Sequence, residues 1–528
     1  MRHSEDRKAT MKRNLRILVL VLLSVLVAAC AVSPELPPPL VTVAQRSEDA
    51  VPRYEPLEEC FEAIPEGLDY DCGYIVVPEF HGVDNGRTIK LAVLRFRSPA
   101  ETPADPLFVG TGGPGQSAIP GGVLTAFRLQ DSESFMSKLL DTRDLVYFSQ
   151  RGTAYSQPDL SCPVRQAYAE RVSAGGATAE DLRQLVSDAM LDCYQDAVDA
   201  GIDLAAYNSL ENAADVNSIR EVLGYDQIVY YGQSYGTLLG QHLLRDFPEA
   251  LSAVILDGVV PIDAVVYEEK VDERFAYALG QLLDLCAADA ACAQSFPTPA
   301  EDIEEVYQQL QTDPYELITQ SGAILPVDGV SFATSLFDSL YSPVVATDLP
   351  VVIDAILTPH EGAEIDPAVS RFLTGAVPGE GIAQLMHFAI VCAEDPIDSI
   401  EEAKSLVSPA SSVYAAFAEA DAADYVQMCA AMDLPVLPDE TDALVSSDIP
   451  VLLLHGGLDP ATPEYLAEQI TSTLPNNYSF VFPYGGHVQG MTDACSQSII
   501  AQFLVDPLTK PEGSCLQEFD PPDFHLPG

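Results

Sequence analysis

Gly232-Gln233-Ser234-Tyr235-Gly236 follows the apolar run 227–231 and precedes Thr237-Leu238-Leu239-Gly240. This is G-x-S-x-G set between a strand and a helix, a turn so sharp that the residues two before and two after the serine have no room for a side chain. The turn lifts the Ser234 hydroxyl to the tip of a sheet, at a helix N-terminus whose dipole favours developing negative charge. Such a serine can attack a carbonyl carbon. It is a poor nucleophile at its own pKa, so it needs a base, and the base needs an orienting acid. Residues 449–455 read as a buried strand running into Gly456-Gly457-Leu458-Asp459-Pro460, which leaves Asp459 at the strand's carboxyl end. Tyr478 to Phe482 ends in Pro483-Tyr484-Gly485-Gly486-His487, which puts His487 in a loop. Each role has a rival. Asp257 closes the strand 253–257 and competes for the acid; its plainer reading is a turn residue bonding its own backbone. His455 ends an apolar strand and His242 lies inside the helix after the serine, so both read as packing residues. The oxyanion formed on attack needs two N–H donors. Tyr235 offers one. Gly112 or Gly113, in Thr111-Gly112-Gly113-Pro114-Gly115-Gln116-Ser117 after the strand 106–110, offers the other.

The elements that must position these groups follow from periodicity. Apolar, β-rich runs at 73–78, 88–96, 106–110, 144–148, 227–231, 253–257, 450–455 and 478–482 give eight strands. Asp84-Asn85-Gly86 predicts a tight turn and an antiparallel edge for the first two; the longer connections suit crossover helices and a mostly parallel sheet. Leu210, Ala213, Val216, Ile219 and Leu223 form one stripe of a helix over 209–223, just before the elbow strand. Residues 261–448, between strands six and seven, are too many for a loop and show helical patterns at 270–287, 301–312, 382–390 and 411–430. This block reads as a mainly helical lid over the site. In it, Glu394 and Asp395 follow an apolar helix end and Cys392. They read equally as a helix-terminus turn before Pro396 and as a cation site.

Six motifs occur in order: Gly112-Gly113-Pro114-Gly115-Gln116-Ser117, Gln150-Arg151-Gly152-Thr153, Tyr231 to Thr237, Ile255-Leu256-Asp257-Gly258-Val259, Leu452 to Pro463, and Gly485-Gly486-His487-Val488. Together they resemble the proline iminopeptidase and tripeptidyl aminopeptidase family of α/β-hydrolases over roughly residues 55–515. The resemblance implies an α/β-hydrolase fold with a TAP-like C-terminal region, Ser234 as nucleophile, Asp459 as acid, His487 as base, and oxyanion donors from Tyr235 and Gly112 or Gly113. It also implies lid carboxylates that hold a substrate ammonium, with Glu394 as the candidate and Asp395 behind it. One departure stands out: many relatives have aspartate before Gln-Arg-Gly, and this chain has Ser149. A structural salt bridge from that aspartate is therefore missing.

The N-terminus reads as a processing signal. Lys12, Arg13 and Arg16 form a basic segment, Ile17 to Val27 an apolar one, and Leu26-Val27-Ala28-Ala29-Cys30 resembles a bacterial lipobox with Cys30 as the lipidated residue. Met11 could be the true start, and plain signal cleavage near Ala29 or an uncleaved anchor are the alternatives. The expected organisation is signal 1–30, tether 31–53, hydrolase core 54–260, lid 261–448 and second core part 449–528. Removing Cys30 from the eleven cysteines leaves ten, an even number for an exported chain. Their order suggests the local pairs Cys60–Cys72, Cys162–Cys193, Cys286–Cys292, Cys392–Cys429 and Cys495–Cys515. The net charge of −53 argues against nucleic acid as a partner and fits a highly solvated surface, or attraction of cationic substrates. No metal or organic cofactor is implied. The sequence thus predicts an extracytoplasmic, lipid-anchored serine hydrolase acting on peptides from the N-terminus. The alternatives are a carboxylesterase with the same machinery and an inactive cell-surface binding lipoprotein. Oligomeric state is left open.

Overall fold

A computed structural model describes residues 52–527, apart from 84, 264–270, 320, 359–365, 376–380, 395, 398, 403–410 and 492. The signal, Cys30 and nearly all of the tether lie outside the described residues. The main sheet holds nine strands: β1 (Arg53–Pro56), β2 (Tyr70–Pro78), β3 (Thr88–Phe96), β4 (Ala104–Gly110), β5 (Arg143–Phe148), β6 (Ile228–Gln233), β7 (Leu251–Asp257), β10 (Val451–Gly456) and β11 (Asn477–Phe482). Their order is β1-β2-β3-β5-β4-β6-β7-β10-β11. The pairs β1·β2, β2·β3 and β3·β5 are antiparallel, and all pairs from β5·β4 onward are parallel. This is an α/β-hydrolase fold.

All eight expected strands form, and β1 is a ninth. Its four polar or half-buried residues give no alternating apolar signal, and Arg53 belongs to it rather than to a tether. The β2–β3 pairing is antiparallel as expected, but the link is not a two-residue turn. Arg87 O accepts the Glu79 N–H at 3.0 Å, so the loop closes at Glu79 and Arg87.

Parallel strands buried on both faces put successive residues into opposite layers. Leu107 and Val109 of β4 join one core cluster and Phe108 joins the other; Ile255 and Leu452 face the first, and Val254 and Leu453 the second. Every parallel strand then ends at the same edge of the sheet. That edge carries Gly110, Ser234, Asp257 and Asp459.

The block after β7 forms a mainly helical cap with its own core. Among its helices are Val271–Ala288, Pro299–Leu310, Gly329–Ser339, Leu349–Leu357, Gln384–Glu394 and Ser412–Met432. A small hairpin, β8 (Tyr315–Ile318) and β9 (Ile324–Val327), was not foreseen from the sequence. Phe275 anchors this core, with ring centroids of Tyr414, Phe337 and Phe417 at 4.9, 5.3 and 5.6 Å. Truncating such a side chain to alanine costs about 3–5 kcal/mol. All five expected disulfides are present. Two of them, Cys286–Cys292 and Cys392–Cys429, staple the cap. Disulfides at this density are typical of proteins in oxidising compartments. Among the described residues no helix is long and apolar enough to cross a membrane.

Candidate active site

Ser234 sits between β6 and the helix Tyr235–Asp246 with φ 53° and ψ −124°, a left-handed conformation that a non-glycine residue holds only under strain of order 1–3 kcal/mol. The glycines around it are required by contact. A Cβ on Gly232 would run into the Gly236 carbonyl, and one on Gly236 would lie 2.8 Å from Gly110 O. The elbow is pinned where the Ser234 N–H donates to Asp257 O at 2.9 Å and Thr237 Oγ1 donates to Ser234 O at 2.6 Å. As the first helical residue, Tyr235 has an N–H with no intrahelical acceptor. Its buried ring is fixed by Ser209 Oγ at 2.8 Å and by Asn212 Nδ2, which donates at 3.1 Å.

His487 Nδ1 lies 2.8 Å from Asp459 Oδ2. Asp459 is wholly buried and closes its own turn: Oδ1 accepts from Ala461 N (2.8 Å) and Thr462 N (2.9 Å), and Oδ2 from Thr462 Oγ1 (2.7 Å). Burial alone would raise Asp459, but the imidazole and the Thr462 bonds outweigh it and hold the carboxyl below its usual range. Burial likewise pushes His487 down, and the Asp459 charge and hydrogen bond outweigh that, so the ring sits above the ordinary histidine value of 6.5. Bonding at Nδ1 keeps that nitrogen's proton on the Asp459 side, so Nε2 is the nitrogen able to accept one. Among the described residues no hydrogen bond yet joins Ser234 Oγ to the ring. The His487 loop packs beside the elbow: a Cβ on Gly258, next to the Asp257 whose carbonyl accepts Ser234 N–H, would lie 3.2 Å from His487 Cε1.

Asp257 is engaged differently from Asp459. Its Oδ1 accepts Gln489 N–H at 2.7 Å, and its Oδ2 accepts Gly490 N–H at 2.7 Å and Tyr231 O–H at 2.8 Å. It grips the backbone just after His487. Burial raises its carboxyl to about 6. The two strand-end aspartates, indistinguishable as letters, therefore divide the work: one bonds the ring and the other bonds the loop that carries it. Tyr341 completes the surround, with its ring 5.0 Å from that of His487 and its carbonyl accepting His487 N–H at 3.1 Å.

Gly112 faces the serine so closely that a Cβ would lie 2.6 Å from Ser234 Cβ and 3.0 Å from Oγ. Gly113 follows with φ +109°, open to glycine alone. Gln150 Nε2 donates to Thr111 O at 2.9 Å, and Gln116 N–H donates to Gly112 O at 3.2 Å, so the loop is held at both ends.

The other candidates lie elsewhere. His455 and His242 are buried, and burial takes them down to about 4 and about 3; His242 Nδ1 is engaged by Arg245 at 2.7 Å. Glu394 Oε1 accepts the Ser209 N–H at 2.7 Å, at the start of the helix Ser209–Leu223. Its charge also acts on the Tyr235 hydroxyl. Asp395 lies outside the described residues. The aspartate that Ser149 replaces is not needed by Arg151. That guanidinium is fully buried, with Nε and Nη2 on Asp215 at 2.8 and 2.7 Å and Nη1 on the Glu79 and Ala206 carbonyls. Ser149 Oγ instead joins Ser117 Oγ at 2.5 Å. The helix Ser209–Leu223 forms as expected, but it also buries Asn212 and Asp215, which serve these two networks.

Sequence reasoning missed a group in the cap. Asp338, one helical turn before Tyr341, and Asp421 are half-buried, and burial raises both to about 7. Charge repulsion adds to each shift, from Asp421 on Asp338 and from Asp424 on Asp421. Asp421 and Asp424 line a cavity of about 710 Å³. Among the described residues no cation bonds either Asp338 or Asp421. Arg274 contributes at a distance, and its Nη1 donates instead to Ala461 O at 2.7 Å. The available sequence signal was two carboxylates three residues apart, Asp421 and Asp424, in an alanine-rich helix. Among the described residues no group of His, Cys, Asp or Glu is arranged to hold a metal ion.

The α/β hydrolase fold family matches residues 106–311, and the TAP-like protein family matches residues 414–515. The chain is 27% identical to the serine protease Hip1 of Mycobacterium tuberculosis over 483 residues, covering 84% of this chain and 86% of that protein. It is 27% identical to a tripeptidyl aminopeptidase of Streptomyces lividans over 304 residues, 54% of this chain and 55% of that one. A proline iminopeptidase-related protein from Thermus thermophilus overlays 84% of this chain and 99% of its own at 18% identity, with a TM-score of 0.36.

Proposed function

We propose that this chain, which has the α/β-hydrolase fold and a TAP-like C-terminal part, is a serine hydrolase of the peptidase kind that releases residues or short peptides from the free N-terminus of peptides outside the cytoplasm, tethered to the cell envelope through lipidated Cys30. Ser234 attacks the carbonyl. His487 Nε2 takes the serine proton and returns it to the leaving amine, while Asp459 holds the ring's tautomer through Nδ1. The N–H groups of Tyr235 and of Gly112 or Gly113 receive the oxyanion, where one donor is worth about 10²- to 10³-fold in kcat. Water then releases the acyl group from Ser234.

The observation that carries the preference for a free amine is the pair Asp338 and Asp421. Carboxylates held in a recess without a cation are unfavourable until one arrives. Asp338 stands a turn from Tyr341, which packs on His487, so an ammonium held by these carboxylates would set the peptide's N-terminus on the cap side of His487. In this reading the ammonium partner is this pair rather than Glu394, whose carboxylate caps a helix. A charge-assisted contact there is worth about 1.5–3 kcal/mol, or about 10- to 150-fold in specificity. The test compares kcat/KM for a peptide with a free and an acetylated N-terminus, alongside a simple ester. Acetylation should cost that factor in the unmodified enzyme and much less in Asp421→Asn. Equal cleavage of free and blocked peptides would replace this reading with an endopeptidase, and cleavage of the ester alone with a carboxylesterase.

A further inference from the structure

The oxyanion loop is held from the cap as well as from the core. Ala383, just before the cap helix Gln384–Glu394, donates its N–H to Gly115 O at 2.8 Å, and Ile382 bridges to Gln116. The fit is close: Gly115 has φ +109°, and a Cβ on it would lie 2.9 Å from Ala383 O. One turn along that helix, His387 Nδ1 lies 3.2 Å from Pro114 O, and its Nε2 lies 2.9 Å from Tyr425 Oη on the helix Ser412–Met432. Burial takes His387 down to about 4, so the ring is neutral. A neutral ring flanked by a carbonyl and a hydroxyl has one arrangement that satisfies both: Nδ1–H donates to Pro114 O, and Nε2 accepts the Tyr425 O–H. The disulfide Cys392–Cys429 ties the same two helices together about one turn further along each.

A chain of contacts therefore runs from the disulfide through Tyr425 and His387 to the Pro114 carbonyl. That carbonyl is next to Gly113 and two residues from Gly112. We propose that His387, set by Tyr425, is a positioning residue for catalysis: it holds the Gly112-Gly113 amides where the oxyanion forms, so that the cap helps to assemble the site it covers. The inference rests on the Ser234 mechanism above. A carbonyl oxygen left unbraced lets the glycine-rich loop rotate, and misaimed donors cost transition-state binding while leaving substrate binding intact.

The experiment uses the full-length enzyme and three variants: His387→Leu, His387→Asn and Tyr425→Phe. Asparagine places an N–H near the position of Nδ1. Each variant is measured for kcat and KM on one free-amine peptide anilide, and for inhibition by a peptide boronate that forms a tetrahedral adduct with the serine. His387→Leu should lower kcat about 10- to 100-fold and weaken boronate binding in parallel, with KM changed less than about threefold. His387→Asn should recover most of the kcat loss. Tyr425→Phe, which removes a single hydroxyl, should lower kcat by about three- to fivefold and guards against a His387→Leu variant that fails to fold. Unchanged kcat in Tyr425→Phe and in a folded His387→Leu overturns the proposal. So does a loss carried by KM, or one that asparagine does not relieve. If the unmodified enzyme ignores the boronate altogether, the serine mechanism itself has failed, and that outcome is separate from any result on His387.

Discussion

Exchanging each strand-end aspartate for asparagine separates the acid from the clamp. In Asp459→Asn the ring loses the carboxylate bonded to Nδ1, and the new amide can donate where Nδ1–H must donate. His487 then favours the tautomer with its proton on Nε2, the nitrogen that has to be bare. Such a change costs about 10⁴-fold in kcat, or about 5 kcal/mol of barrier. In Asp257→Asn the shape is preserved, but the amide offers one acceptor oxygen where Gln489 N–H and Gly490 N–H at 2.7 Å use two. One backbone N–H then faces an amino group and is left unsatisfied, at about 1–3 kcal/mol. If all of that appeared in the placement of His487, kcat would fall about 5- to 150-fold. The assay is steady-state kcat on a free-amine peptide anilide, with circular dichroism to show that both variants fold. Asp459→Asn should be the poorer enzyme by about two orders of magnitude. A larger loss in Asp257→Asn would refute the division of roles and make Asp257 the acid.

Three further outcomes follow from the same geometry. His487 must be neutral to accept the serine proton, and Asp459 holds its pKa above 6.5, so the acid limb of kcat/KM should lie above that value and move down in Asp459→Asn; an unmoved limb assigns it to another group. Gly112→Ala puts a methyl 2.6 Å from Ser234 Cβ and should abolish turnover without unfolding the chain, whereas an active variant would take Gly112 out of the site. Non-reducing peptide mapping should return the five sequence-local pairs, and Cys392→Ser with Cys429→Ser, opening a loop of 37 residues, should cost about 4 kcal/mol of stability; a free thiol among the ten cysteines counters the pairing.

The sheet was legible because parallel strands buried on both faces are unbroken apolar runs, and β4, β6, β7 and β10 are such runs. Strand β1 was not, because Arg53-Tyr54-Glu55-Pro56 is a polar edge that shows its strand character only when paired to β2. In the cap, Leu349–Leu357 is rich in valine and isoleucine and reads as readily as a strand; packing in the cap core made it a helix. The elbow and its glycines could be read in advance because each is a local steric demand. The sequence favours Asp459 over Asp257 as the acid, but periodicity alone does not separate them, since the choice turns on which carboxylate reaches a ring and which reaches a backbone more than 200 residues away. The same holds for His387 and Pro114, and for Asp338 and Asp421. One sequence gives residue types and periods but not which distant residues meet.

The central claim is that Ser234 is the nucleophile of a peptidase that recognises a free amine. The most direct test is one labelling measurement. The intact protein is treated with a peptidyl phosphonate bearing a free N-terminal amine, and the adduct is located by mass spectrometry. One phosphonyl group per chain, on Ser234, formed faster than with the acetylated reagent and absent in Ser234→Ala, is the predicted result. An adduct on another residue, or none with either reagent, would contradict it.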